Sequence, residues 1–268
     1  MNPRSDSGAA VAALVDQIMA EVAVTRHHGR PGLPARAKVR WSREIVRHVP
    51  RAELVGAARI LCTHANATVR QVGLRVLADP AVSPAIAEDQ AALLADDPDW
   101  EVREWVVEPL VQHAARGQRD WLWRWTAAGG GRRRAAVVGA RALLIAGSIT
   151  CAEALDVARQ GIDDPNPYVA ASVGTFLLAD GVVPRCPDAF LAWAVALACA
   201  PAPSESPRWR HLAASARRDR MVARQLERLI GDSPVAERPE GIWLVRRLSE
   251  DTRRRPQVNG QPEAGGNE

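Results

Sequence analysis

The sequence predicts an all-α fold, a right-handed solenoid of stacked helical repeats with a curved concave face, and three observations carry that prediction. The first is a repeat: Val69-Arg70, Val102-Arg103 and Val169-Ala170 each lie just inside a helical segment that follows a turn. They are 33 and then 67 residues apart, the second interval being close to twice the first, and its midpoint falls between Arg132 and Leu144. Periods of this size belong to paired helices that bury their apolar faces only by stacking on neighbours. The second observation is periodicity: Leu54, Ala57, Ala58 and Leu61 fall at i, i+3, i+4 and i+7, the spacing of one helical face. The third is composition, 47% hydrophobic in 268 residues, which is enough to build a substantial core.

The elements follow in order. Helices are expected over Ala9–Thr25, Ser42–His48, Arg51–His64, Thr68–Ala78 and Pro84–Ala95, with the Gly- and Pro-rich stretch from His28 to Pro34 as a loop. Asn66 is placed to cap the fourth of these, and Asp99 to cap a helix running from Trp100 to Ala115. Trp121–Ala127 and Arg132–Ile145 come next, then Ala152–Gly161, opened by Thr150-Cys151-Ala152-Glu153 as a capping box. Asn166 caps Tyr168–Ala179, with Pro167 suited to a first helical position. Asp188–Cys199, Arg208–Arg217, Arg220–Ile230 and Gly241–Ser249 complete the set, the second of them following a Pro-rich loop from Ala200 to Pro207. The pattern runs without a compositional break, so residues 1–252 are expected as one repeat domain and 253–268 as a disordered tail.

Several function classes lack their signatures. There is no P-loop, no dinucleotide fingerprint and no nucleophile elbow. The six histidines show no i, i+4 pair, and the four cysteines show no C-x-x-C spacing, so no metal site is expected. The thiols are expected to be reduced, in a cytoplasmic protein. No run of about 18 apolar residues and no signal-peptide core is present, which predicts no membrane partner.

Charge points further. The formal excess is +4 and Lys38 is the sole lysine, so the positive charge is almost all arginine, clustered at 132–134, at 217, 218 and 220, and at 253–255. Guanidinium forks match phosphate oxygens. Solvated arginine-rich faces of no binding role have the same composition. Trp100 and Glu104 stand four apart on one helical face, an aromatic beside a carboxylate. Trp121, Trp123 and Trp125 cannot all share a face, so one or two are expected in the core.

Taken together, Trp100-x-x-x-Glu104, the helix start Arg132-Arg133-Arg134-Ala135-Ala136-Val137 and Tyr168-Val169-Ala170-Ala171-Ser172-Val173-Gly174 resemble the AlkD and AlkC group of HEAT-repeat DNA alkylation repair glycosylases. The resemblance spans roughly residues 60 to 180. It implies a monofunctional glycosylase that excises N3- or N7-alkylated purines from double-stranded DNA, acting as a monomer without cofactor or metal. On that resemblance Glu104 and Trp100 are the catalytic pair, and Arg103, Arg133, Arg134, Trp105, Thr175 and Asp180 contact DNA. Thr175 stands where AlkD-like proteins carry an aromatic, which implies a wider lesion cleft. Ala179 stands where AlkC-like proteins carry an acid, with Asp180 one residue along and about 100° around the helix, where it also suits a helix end before Gly181. A strand-cleaving lyase needs an amine, and Lys38 alone could supply it, so an abasic site is the expected product. The competing reading is a HEAT-like scaffold without catalysis, and the surroundings of Glu104 separate the two.

Overall fold

The computed structural model describes residues 6–28, 32–178, 185–201, 206–217 and 219–254. These residues are helical with no strand among them, as expected. They fall into two compact units, Met1–Phe176 and Leu177–Glu268. The single array expected over 1–252 is accordingly described unit by unit.

The first unit contains α1 (Asp6–His27), α2 (Ala35–His48), a 3₁₀ turn (Arg51–Glu53), α3 (Leu54–Cys62), α4 (Ala67–Val76), α5 (Pro84–Leu94), α6 (Trp100–Trp105) and α7 (Val107–Ala114). α8 (Trp121–Ala127), α9 (Gly130–Ile145), α10 (Cys151–Gly161) and α11 (Pro167–Leu178) follow. The predicted caps are in place: Asn66 Oδ1 accepts from the Thr68 amide at 2.9 Å, Asp99 Oδ1 from Glu101 at 2.9 Å and Asn166 Oδ1 from Tyr168 at 3.0 Å. Thr150 and Glu153 form the capping box. Helices pack in two rows, α2 on α4, α4 on α6 and α6 on α9 in one, α3 on α5, α5 on α7 and α8 on α10 in the other.

In this unit two boundaries differ most from expectation. α2 starts at Ala35 rather than Ser42, because its buried stripe includes Lys38, a polar residue at a core position that hides the apolar period. The helix expected over Trp100–Ala115 breaks at Val106 into α6 and α7. Pro109 explains the break, since it offers no amide to the Trp105 carbonyl and its ring crowds that oxygen.

Arginines hold the turns together. Arg70 donates to the His64 and Ala65 carbonyls at 2.9 and 2.8 Å and makes a bidentate pair with buried Asp97, both bonds at 2.8 Å. Arg103 donates to the Asp97 and Pro98 carbonyls, and Arg133 to the Thr126 carbonyl at 2.9 Å and to the Asp164 carboxylate. At the fourth residue of its helix, each of Arg70, Arg103 and Arg133 ties down the turn before it; Arg70 and Arg133 also reach an acid in the next turn.

Trp121 and Trp125 are in the core and Trp123 is partly exposed, in line with the three not sharing a face. The two buried indoles meet edge to face at 5.8 Å between centroids. A Cβ at Gly139 would lie 2.4 Å from the Trp121 ring, so only glycine admits that indole against α9.

α1 buries Val11, Leu14, Ile18 and Val22, a single stripe that packs on α2, α3 and α4. Asp16 and Glu21 interrupt any continuous apolar run. Even so, Gly8–His27 reaches a mean hydropathy of 1.5 over an 18-residue window, long and apolar enough by length and composition to cross a membrane, with 22% of that window buried.

The second unit contains α12 (Pro187–Cys199), α13 (Arg208–Ala216), α14 (Arg220–Gly231), a 3₁₀ turn (Pro234–Glu237) and α15 (Pro239–Arg254). Phe190, Leu197, Leu212, Leu226, Ile230, Leu244 and Leu248 form its core. Buried Arg208 donates to the Leu197, Ala200 and Pro201 carbonyls and closes the end of α12. The helix expected over Gly241–Ser249 runs on to Arg254; the rest of the expected tail lies outside the described residues.

The cysteines depart from expectation. Cys62 and Cys199 are free, and burial pushes the Cys62 thiol up to about 12. Cys151 and Cys186, however, are not free thiols, which corrects the reading of all four as reduced. Thiol titration of unfolded, unreduced protein is expected to count the two free cysteines and to rise to all four after reduction. A count of four before reduction would contradict that assignment.

Candidate functional site

Glu104 lies in the last turn of α6, directly before the break at Val106. Its position is set from both ends of the helix, by the Asp99 cap and by Val102, which is fully buried beneath it. Arg134 comes from the start of α9, and two glycines bring it there. Gly130 takes φ 59°, and the Gly131 amide donates to Asp96 Oδ1 at 2.9 Å. A Cβ on Gly131 would stand 2.1 Å from the Ala95 carbonyl oxygen. Glycine therefore lets the start of α9 sit on the α5–α6 turn, and Arg134, a turn further on, pairs with the Glu104 carboxylate.

This ion pair opens into a cleft of about 280 Å³ lined by Glu104, by Arg134, Val138 and Arg141 of α9, and by Tyr168, Ala171, Ser172, Thr175 and Phe176 of α11. Each helix contributes one face, at i, i+4, i+7 on α9 and at i, i+3, i+4, i+7, i+8 on α11. Val137, Val169 and Val173 hold the two faces together around Gly161, where a Cβ would lie 2.9 Å from Val173. Tyr168 stands 69% exposed at the rim and Phe176 is buried in the wall. The Thr175 hydroxyl donates to the Ala171 carbonyl at 3.1 Å. Two guanidinium groups and one carboxylate leave the cleft with net positive charge, beside a phenol and a phenyl face.

The expected site residues separate into groups. Glu104, Arg134 and Thr175 come together in the cleft. Trp100 is 63% exposed on the same helix as Glu104 without lining it. Trp105 is covered elsewhere: Arg75 and Lys38 lie over its ring at 4.2 and 5.1 Å. Arg103 and Arg133 are engaged in the turn bonds described above. Asp180 and Ala179 lie outside the described residues.

Sequence reasoning passed over Arg141 and Phe176, and gave Tyr168 and Ser172 no role. A signal for Tyr168 was present, because it follows the Asn166-Pro167 turn much as Trp100 follows Asp99.

A second polar cluster lies beside the first. Lys38 Nζ pairs with Glu101 Oε2 at 3.1 Å, and Gln71 donates to the same oxygen at 3.2 Å. Burial alone would raise the Glu101 carboxyl, but hydrogen bonds from Lys38 and Gln71, with the Lys38 charge, outweigh it and hold the group below its usual value. Arg75 pairs with Glu108 at 2.8 Å; burial pushes that carboxyl up, partly offset by the Arg75 charge. Among the described residues no three His, Cys, Asp or Glu side chains group to hold a metal ion.

Against known proteins, the chain matches no family model, no curated protein and no solved structure. The resemblance to alkylation glycosylases therefore stands on its residues alone.

Proposed function

We propose that the chain is a monofunctional DNA glycosylase that releases N3- or N7-alkylated purines and leaves an abasic site. The observation that carries this reading is Glu104, held by Arg134 at the mouth of a small aromatic-walled cleft. An alkylated purine is already cationic, so its glycosidic bond is weak and the departing base needs no proton. Catalysis is then electrostatic: Glu104 stabilises positive charge developing on the deoxyribose or orients the attacking water. Arg134 and Arg141 are available to phosphate oxygens, and Tyr168 and the exposed face of Trp100 to the sugar or the base. In this reading the row formed by α2, α4, α6 and α9 continues through α11 as the concave face of a HEAT-like solenoid.

Lys38 bears on the product. Its side chain is 5% exposed and paired with Glu101, so it is no free nucleophile for Schiff-base strand cleavage.

One observation favours a non-catalytic scaffold instead: Glu104 already has a partner in Arg134, and Arg103 and Arg133 are spent on turns. Incubating the protein with methylated double-stranded DNA separates the two. Released 3-methyladenine or 7-methylguanine, with strands cut only after alkali, is the expected result; DNA binding without release would leave the scaffold.

The Thr175 position gives a further expectation. Thr175→Trp restores an aromatic wall, and contact of an aromatic with a cation contributes about 0.5 to 2 kcal/mol. Activity on methylpurines relative to bulky adducts is expected to rise about fivefold, as judged by rates on both lesions. An unchanged ratio in a folded variant would remove Thr175 from the recognition surface.

A further inference from the structure

The second unit holds a cationic groove that takes no part in the chemistry proposed for the first. Arg210, His211 and Ala214 of α13 and Arg217 just past its end line it on one side, and Trp243, Arg246, Arg247 and Glu250 of α15 on the other. On α15 these residues fall at i, i+3, i+4 and i+7, one helical face. The two helices pack together, and the groove between these faces has a volume of about 620 Å³. Two helical turns give it a length of about 10 Å.

Its lining is rich in arginine. Four guanidinium groups line it against one carboxylate, and Glu250 is shared between Arg246 at 3.2 Å and Arg247 at 3.5 Å. Burial, and then the charge of Arg210, hold the His211 imidazole below its ordinary value. Nor is the groove purely ionic: Trp243 is 42% exposed along it, and Ile242 beside it is 55% exposed. An exposed indole gains nothing from solvent, whereas next to a row of arginines it has the flat face that a base stacks on. Arginine forks supply the matching donors for phosphate oxygens.

We propose that this groove binds a phosphate ester carrying an aromatic base, with Arg210 and Arg246 on the phosphate and Trp243 against the base. Single-stranded nucleic acid and a free nucleotide share that chemistry. The assignment is independent of base excision, because the ligand is unmodified and the residues lie outside the Glu104 cleft.

The test uses the full chain and a fluorescein-labelled, unmodified single-stranded oligonucleotide, with binding read by anisotropy over a range of salt. Arg210→Ala combined with Arg246→Ala is expected to weaken binding and to flatten the slope of log affinity against log salt by about 1.4, near 0.7 for each lost phosphate contact. Trp243→Leu is expected to cost about tenfold in affinity and to leave the slope unchanged. All three positions are solvent-accessible, and circular dichroism checks that the variants fold. Adenosine monophosphate and ribose 5-phosphate serve as competitors. Competition by the nucleotide alone shows that a free nucleotide suffices; competition by neither shows that a strand is required, and both outcomes support the site. Equal competition by ribose 5-phosphate would remove the base from the recognition and overturn the proposal. So would wild-type affinity in both variants, or no binding by the unaltered chain.

Discussion

Glu104→Gln is expected to abolish base release, by a factor of about 100 to 1,000, while folding and DNA binding stay as in the parent chain. The range is that for removing one preorganised electrostatic group from a reacting centre. Glutamine keeps the shape and keeps an oxygen to accept from Arg134, so the α6–α9 contact survives and only the charge is lost. Single-turnover release of methylated bases, with binding to the same DNA measured in parallel, reads the two effects apart. Parental rates would take Glu104 out of the reaction, and a loss of binding together with release would make the residue structural. A selective loss of release would assign it to the transition state.

The largest expected loss of stability comes from Arg70→Leu. The pair Arg70–Asp97 is buried, with side chains 10% and 5% exposed, and the guanidinium makes four hydrogen bonds, two to Asp97 and one each to the His64 and Ala65 carbonyls. Removing one partner leaves the Asp97 carboxylate stranded, at a cost of about 3 to 5 kcal/mol. For a chain of this size that corresponds to a fall in Tm of about 10 °C. Replacing both residues by leucine is expected to recover part of the loss, since no charge then remains buried. Thermal melts of the single and double variants check both statements. A single variant melting within a degree of the parent would mean that the pair is not holding the turns.

Helices were legible because they announce themselves twice, in the apolar period along one face and in the residues that cap the turns. Asn66, Asp99, Thr150 and Asn166 each did what their position implied. The break at Val106 was hidden, because the apolar period continues through it; Pro109, one turn downstream, was the cue. The start of α2 was hidden for the opposite reason, a lysine occupying a buried position. At the site, spacing along one helix placed Trp100 and Glu104 on one side but could not foretell which neighbours would meet them. Arginines were the hardest residues to read. Arg103 and Arg133 look as available for phosphate as Arg134, yet both close turns, while Arg134 alone faces a carboxylate across the cleft. Their partners lie far off in the sequence: Asp97 is 27 beyond Arg70, Asp164 is 31 beyond Arg133 and Glu104 is 30 before Arg134, whereas Arg103 meets only the carbonyls of the turn before it. Only the stacking of repeats brings such pairs together.

The burial of Lys38 reaches beyond catalysis. Acylation, carbonyl addition and conjugation to protein modifiers all begin with a deprotonated ε-amine that can reach solvent, and the one such amine in these 268 residues lies under α6, engaged by Glu101 and the Trp105 ring. Arginine, which stays protonated, offers these reagents no substitute. The folded surface is thus cationic and at the same time nearly inert to amine chemistry. Lysine-directed cross-linkers should find no internal target on the native chain, and the appearance of one would mark the moment α2 separates from α6.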